Sequence, residues 1–404
     1  MTFFIVTLIK IVIVFAVFMT TLAYLQWIER KVLAHIQSRT GPLRVGPHGL
    51  MQPLADVFKL LTKEDVFPPF VNRFFYLLAP FIAVCLALIT ISIVPFGPEI
   101  EVAGVRTYMQ IGDVHVGILL VLAITAVSVY GVALAGWSSN NKYSLLGGLR
   151  SSAQMISYEL PLSLAIVSPL LLANQLSFRA ISDSQAGYYL GFIPRWNIFQ
   201  APFPQIFAFI IFLIAAFAET NRIPFDLPEA ENELVAGFHT EYSSMKFACF
   251  FMAEYANIVN ITCVATLLFL GAWHPLFPAP YSNWVAPLVF LLAALSCFAQ
   301  AAQPRRKNDQ YTFPLFGVVF LVLTAIFVVA ALEIVPVLST ILLSIFWFLA
   351  KVGLLIFAFI WVRGTLPRFR YDQLMHFAWT FLFPVSLLNL LITGLLVALF
   401  PERI

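Results

Sequence analysis

Ten apolar runs, each long or nearly long enough to cross a bilayer, follow one another along this chain of 404 residues and leave little sequence between them. A spanning helix needs roughly 20 mostly apolar residues, because in hydrocarbon every backbone amide must be satisfied within its own segment. The runs fall at about residues 3–27, 76–96, 116–137, 154–174, 204–218, 246–271, 284–302, 314–335, 339–362 and 377–400. The fifth is short, and Glu159 and Glu254 interrupt two others. Apolar residues make up 61% of the chain and charged ones 11%, which leaves no stretch for a soluble catalytic domain. The expected fold is all-α, a polytopic transmembrane helix bundle of about ten spans forming a single integral membrane domain over residues 1–404. The first run has no basic leader, is too long for a signal peptide and is followed by no small-residue cleavage site. It is expected to stay as the first span.

Charge sets the expected orientation. With the N-terminus outside, the inner loops hold 17 Lys and Arg, while the outer segments hold only Arg106, Arg179, Arg195 and Arg403. That asymmetry places both termini outside. Of the two basic residues inside runs, Lys10 is expected to snorkel to the outer surface, and Lys351, in mid-span, is the candidate for internal pairing. Cys85, Cys249, Cys263 and Cys297 all fall in apolar runs without a CxxC pair, so they read as small core residues. No Gly-rich phosphate loop appears. The chain is expected to hold no metal, flavin, iron–sulfur cluster or nucleotide, and to bind no nucleic acid.

Two loops carry the charge that remains. Residues 28–75 contain Gly41-Pro42 and Gly46-Pro47, which mark turns, and then Leu54, Val57, Phe58, Leu60 and Leu61 at helical spacing opposite Asp56, Lys59 and Lys63. This predicts a short amphipathic helix in the membrane interface or against the bundle; a plain surface anchor explains it about as well. The stretch from Glu219 to Glu241 holds Glu219, Asp226, Glu229, Glu231, Glu233 and Glu241, six of the 20 acids in the chain, against Arg222 alone. A solvated loop is the ordinary explanation for such a stretch. Against it, Ile223-Pro224-Phe225 and Leu234-Val235-Ala236-Gly237-Phe238 suggest a segment folded back on the bundle. Asp226 is expected to cap a helix starting near Pro228, with Glu229 completing the capping pattern and Glu233 one turn further on. Crowded carboxylates titrate as a coupled set. Glu159 and Glu254, costly if left against lipid, are expected to face the interior, and Pro161 is expected to kink its helix.

Several motifs together resemble one family. They are Glu29-Arg30-Lys31, Gln37-Ser38-Arg39-Thr40-Gly41-Pro42, Gly46-Pro47-His48-Gly49, Gln52-Pro53-Leu54-Ala55-Asp56, Gly147-Gly148-Leu149-Arg150, Ser157-Tyr158-Glu159, the whole of Glu219 to Tyr255, and Pro367-Arg368-Phe369-Arg370-Tyr371-Asp372-Gln373-Leu374. The sequence is similar, over roughly residues 1–275 and 340–400, to the quinone-binding membrane subunit family (NuoH) of respiratory complex I, the proton-pumping NADH:quinone oxidoreductase. The resemblance implies an enzyme subunit without a redox centre of its own, with quinone as substrate. Its implied partners are peripheral-arm subunits carrying flavin and iron–sulfur clusters, small neighbouring membrane subunits, antiporter-like pumping subunits and membrane lipid. Its implied location is the bacterial cytoplasmic (inner) membrane, the mitochondrial one being less favoured.

The same resemblance assigns residues. Arg30, Arg39, Asp56 and Lys59 would line or orient the quinone entrance, and Arg222, Phe225 and Asp226 would border the quinone chamber. Glu159, Glu219, Glu229, Glu231, Glu233, Glu241 and Glu254 would begin the carboxylate path for proton coupling, and Arg368 and Asp372 match a further motif. Residues 284–337 depart from the usual eight spans and look like an inserted transmembrane hairpin with a peripheral packing role. A homologous subunit of a membrane-bound, energy-converting hydrogenase shares this fold without needing quinone. An ion-coupled secondary transporter would show repeated halves with broken helices, which the sequence lacks. The remaining alternative is a purely structural membrane anchor, against which the intramembrane acids argue.

Overall fold

The computed structural model of the chain describes residues 2–102, 104–200, 203–226, 235–302 and 309–400. Its helices are α1 (Thr2–Ile36), α2 (Gln52–Thr62), α3 (Arg73–Ile93), α4 (Gly117–Ser138), α5 (Lys142–Ala173), α6 (Phe178–Ser184), α7 (Ile206–Glu219), α8 (Ser244–Phe269), α9 (Tyr281–Ala302), α10 (Asp309–Ala331), α11 (Pro336–Thr365) and α12 (Tyr371–Leu399). Nine of them, among the described residues, are long and apolar enough to cross a membrane, and α7 supplies the tenth, short run. All ten apolar runs are helical. Several helices outlast the run that announced them: α1 continues to Ile36 and α5 begins at Lys142. Helix propagation costs little once a long apolar segment has nucleated it, and Glu, Arg, Lys and Leu are good helix formers. Consequently Glu29, Arg30, Lys31 and Arg150 stand on helices rather than in loops. The 35 residues of α1 amount to about 52 Å, well beyond the ~30 Å of hydrocarbon.

Helices α5 and α8 form the centre of the bundle, while α1, α9, α10 and α12 present most of their surface outward. Small residues make close approaches possible. A Cβ on Gly147 of α5 would sit 2.7 Å from the Cα of Gly237, so this glycine lets the short 3-10 turn Gly237–His239 lie directly on α5. The helix α5 runs unbroken through Pro161 and Pro169, and α12 contains one π-helical turn, Phe377–Leu382. The expected amphipathic helix is α2, and Gly46, with φ +70°, makes the turn before it.

Two antiparallel ribbons join spans, β1 (Glu99–Val102) with β2 (Val105–Tyr108) and β3 (Tyr188–Tyr189) with β4 (Ile193–Pro194). Lys10 reaches the first of them: its ammonium donates to Thr107 Oγ1 (2.8 Å) and to the Tyr108 and Gln110 carbonyls. Lys351 is paired internally, yet with no acid among the described residues. Its buried ammonium donates to the carbonyls of Leu270, Ala272 and His274, just past the end of α8.

Candidate functional site

Four residues of α1 at helical spacing are buried: Phe18, Leu22, Leu25 and Glu29. The first three are ordinary core residues. The fourth is a carboxylate on the same face, and a buried carboxylate needs a charged partner. Glu29 Oε1 accepts from Arg222 Nη1 at 3.2 Å and from Arg363 Nη1 near the end of α11. The Arg222 Nε in turn lies 2.7 Å from Glu254 Oε1 on α8, and its guanidinium lies over the Tyr255 ring at 4.4 Å. Two guanidinium groups and two carboxylates thus tie α1, α8 and α11 to the segment following α7. Formally the knot is neutral.

The turn after α7 is held from α5. Asn221 adopts φ +50°, and Gln154 Nε2 donates to the carbonyls of Ala218 and Phe225, both at 2.8 Å. This staple aims Arg222 at the knot and sets Phe225 between Tyr158 (5.5 Å between ring centres) and Phe369 (5.6 Å). Asp226 pairs with Arg368 Nη2 at 2.8 Å, and the Phe369 amide donates to the Pro224 carbonyl. The loop between α11 and α12 therefore closes over the loop after α7.

A cavity of about 50 Å³ with mixed walls lies beside Glu254, lined also by Glu219, Thr220, Asn221, Ser128 and Asn257 and by apolar residues such as Met155 and Phe250. That is a volume on the scale of one or two water molecules, at roughly 30 Å³ each. Glu219 Oε2 is buried and makes no hydrogen bond among the described residues. Glu159 is half-buried on α5 and interacts electrostatically with Glu219.

An apolar groove of about 820 Å³ runs along α1, α8 and α11. Lys10 stands at one end of it; Leu25, Ile356 and Ile360 line both the groove and the charged knot at the other.

The sequence-derived residues thus separate into groups. Arg222, Phe225, Asp226 and Glu254 come together with Glu219 beside them. Arg30 and Asp56 form a pair of their own at 2.9 Å, which clips α2 to α1, with Gln52 also donating to Asp56. Glu241 accepts from Asn141 at 2.6 Å beside the stacked rings of Tyr76 and Tyr242 (4.2 Å). Arg39 and Lys59 are exposed, and Asp372 pairs with Arg370 on the surface. Glu229, Glu231 and Glu233, with the helix expected from Pro228, lie outside the described residues. Glu29, Arg363 and Tyr255 carry the knot without having been assigned a role from sequence. The buried 18-22-25-29 spacing was the available signal for Glu29. Burial shifts two groups in the turn that lies on α5: the His239 ring, among Phe238, Phe247 and Phe251, is lowered to about 4, and the Tyr242 hydroxyl is pushed up to about 12. Among the described residues no group of three or more His, Cys, Asp or Glu is placed to hold a metal ion.

Residues 9–394 match the NADH dehydrogenase family. The chain belongs to this family. It is 60% identical over 398 residues to the NADH-quinone oxidoreductase H subunit 1 of Solibacter usitatus, covering 98% of each chain. It is 47% identical to the H subunit 2 of Koribacter versatilis, again over 98% of each. With the corresponding NADH-quinone oxidoreductase chain of Protochlamydia amoebophila it shares 43% identity over 93% of this chain and 92% of that one.

Proposed function

We propose that this chain is the membrane subunit of a proton-translocating NADH:quinone oxidoreductase that receives quinone from the bilayer and passes the consequence of its reduction into a carboxylate path. The observation that carries this reading is the double position of Glu254. It pairs with Arg222 in the knot and also lines the cavity shared with Glu219. A charge change at the knot is therefore felt by a group that can hand it on.

The apolar groove suits the isoprenoid tail of a quinone, and the knot lies where the groove ends. Reduction to quinol takes two electrons and two protons. Partner subunits with flavin and iron–sulfur clusters supply the electrons in this reading, while this chain binds, orients and couples. Negative charge developing near Arg222 and Arg363 draws on their guanidinium groups and weakens their hold on Glu29 and Glu254. A carboxylate released from its cation takes up a proton more readily. Glu254 then exchanges a proton across the small cavity with Glu219, and Glu159 continues the path inside the bundle. Glu229, Glu231, Glu233 and Glu241 extend it along the loop, by sequence alone for the first three. Arg30, Asp56, Arg39 and Lys59 frame the entrance in this proposal, at the end of the bundle taken as cytoplasmic, with both termini outside. The chain forms one membrane domain with α9 and α10 as its inserted hairpin.

Arg39→Ala tests the entrance: quinone reduction by the assembled complex falls while electron transfer to a water-soluble acceptor persists. Equal loss of both activities would assign Arg39 to assembly instead.

A further inference from the structure

The first turns of α10 carry Asp309, Thr312, Phe313 and Phe316, a spacing that puts all four on one face of the helix. A stripe of this kind ordinarily packs on a neighbouring helix. Here it closes on a loop side chain, His48. The His48 Nε2 is hydrogen-bonded to Thr312 Oγ1 at 2.8 Å, and Asp309 Oδ1 stands 3.6 Å from the same nitrogen. The ring centres of Phe313 and Phe316 lie 4.8 and 6.2 Å from that of the imidazole. Tyr311 and Leu315, off that face, are exposed.

His48 sits at a demanding point of the chain. It adopts φ +51° between Gly46 (φ +70°) and Gly49 (φ +77°). A residue with a Cβ enters this left-handed backbone at a cost and keeps it only where its surroundings hold it. Within the same turn the amides of Gly49, Leu50 and Met51 donate to the carbonyls of Gly46, Pro47 and Val45. A Cβ on Gly49 would collide with the Pro42 carbonyl, so the loop is folded tightly on itself.

This turn leads directly into α2, which is tied at three places. His48 ties the turn before it to α10, and Arg30 holds Asp56 in its first half. At its far end Ser244 Oγ, where α8 begins, bonds to the carbonyls of Leu60 (2.9 Å) and Lys63 (3.1 Å). The last two ties come from α1 and α8, and the first from the α9–α10 pair. That pair is itself fixed to α11 through the rings of Phe290, Phe327 and Phe346, whose centres are 5.0 to 6.0 Å apart.

On the reading that Arg39, Asp56 and Lys59 frame the quinone entrance, we propose that the α9–α10 pair is a positioning brace for that entrance. Through His48 it sets where the turn and the start of α2 stand, and so the share of time in which the mouth admits a quinone. His48, Thr312 and Phe313 are positioning residues that act through α2.

Two variants remove the grip from opposite sides. His48→Asn keeps a residue that enters the left-handed region readily but lacks the ring. Thr312→Val with Phe313→Ala leaves the loop sequence untouched. Amide exchange is followed by mass spectrometry in the assembled complex, in peptides spanning residues 43–51. The turn 218–225, stapled by Gln154, serves as the reference. Exchange in 43–51 is expected to quicken about tenfold, for the loss of one hydrogen bond and one ring contact, with the reference turn unchanged. KM for a decyl-substituted quinone rises about threefold, because apparent affinity falls with the share of time the site is competent. The kcat and electron transfer to a water-soluble acceptor stay within about twofold. Three results overturn the brace. Unchanged exchange in both variants means that α10 does not hold the turn. Failure of both variants to assemble makes the contact a folding element. Faster exchange at unchanged KM means that the turn does not set the mouth. Arg39→Ala separates this last failure from a failure of the entrance itself. If it still depresses quinone reduction, the entrance stands without a brace, and if it does not, neither stands.

Discussion

Helix α8 has a buried cation against it at each of two places, and they are satisfied in opposite ways. About three turns into it, Arg222 is held between the carboxylates of Glu29 and Glu254. Beyond its end, Lys351 is held by the carbonyls of Leu270 (2.6 Å), Ala272 (2.9 Å) and His274 (2.6 Å), with its ammonium 4.1 Å from the centre of the Trp196 ring. Leu270 follows Glu254 by 16 residues, which is about 24 Å along the helix. Carbonyl groups do not titrate, so none of the partners that hold Lys351 can change its charge. Carboxylates do, so a single proton changes the charge of the Arg222 knot. The cage fastens the loop that leaves α8, whose carbonyls at Leu270, Ala272 and His274 converge on one ammonium. The knot can switch. A buried charge in a membrane bundle is thus read by its partners as much as by its position.

The sharpest way to break that contrast is to remove each cation in turn. Arg222→Met strands two carboxylates with Arg363 alone, and losing one side of a buried pair costs about 3–5 kcal/mol, or a hundredfold and more in whatever it supports. The expectation is quinone reduction at background in assembled complex, with electron transfer to a soluble acceptor retained. Normal quinone reduction would make the knot a clasp of the same kind as the Lys351 cage. Lys351→Met orphans three carbonyls, so thermal inactivation accelerates by an amount corresponding to about 3 kcal/mol. Quinone turnover per assembled complex stays within about twofold if the cage is purely structural. A tenfold fall in turnover at unchanged stability would move Lys351 into the coupling path.

Glu254→Gln sharpens the comparison further, because it keeps the shape of the knot and removes one titration. Quinone-linked turnover and proton uptake in vesicles fall together by about tenfold, equivalent to roughly 1.4 kcal/mol. Neutralising Glu101, on β1 of the first ribbon, does little. If Glu254→Gln pumps at the normal rate, the knot does not communicate through this residue.

The sequence made the spans legible because apolar length alone decides them, and its two charged loops are where much of the site's charge lies. Glu254 was visible as a charge inside an apolar run and Arg222 as the one base of an acid-rich stretch, whereas the site roles of Arg222, Phe225 and Asp226 came from the family resemblance. The partners of these residues were not visible. Glu29 and Arg363 are 334 residues apart, and no local pattern ties two such positions. The face of α1 was readable in principle, since Glu29 continues the buried 18-22-25 spacing while its neighbour Arg30 turns to Asp56. Carbonyl partners leave no trace in a sequence at all. That is why Lys351 could be picked out as internally paired but not matched to Leu270, Ala272 and His274. The ribbons of two to four residues are equally silent, because so short a strand has no periodicity to detect.

His239 supplies a third treatment of a buried basic group: it is kept uncharged. Burial among aromatic rings lowers its folded value to about 4, against 6.5 for the ordinary side chain. Above pH 6.5 the ring is neutral in both folded and unfolded chains and contributes no pH dependence. As pH falls from 6.5 towards 4 the unfolded chain binds a proton that the folded chain refuses, so stability drops through that window. His274 is lowered to about 4 as well, by burial first and the nearby Lys351 charge second, and acts in the same direction. His239→Phe removes one of the two contributions. The ratio of thermal inactivation rates at pH 5 and pH 7 should shrink by an amount equivalent to on the order of 1 kcal/mol, about fivefold. Lys351→Met should alter the His274 contribution and leave that of His239 untouched, which separates the two ends of the bundle. An unchanged ratio in His239→Phe would mean that the ring takes up its proton in the folded state, and that the turn on α5 is more open to water than its packing against Phe238, Phe247 and Phe251 implies.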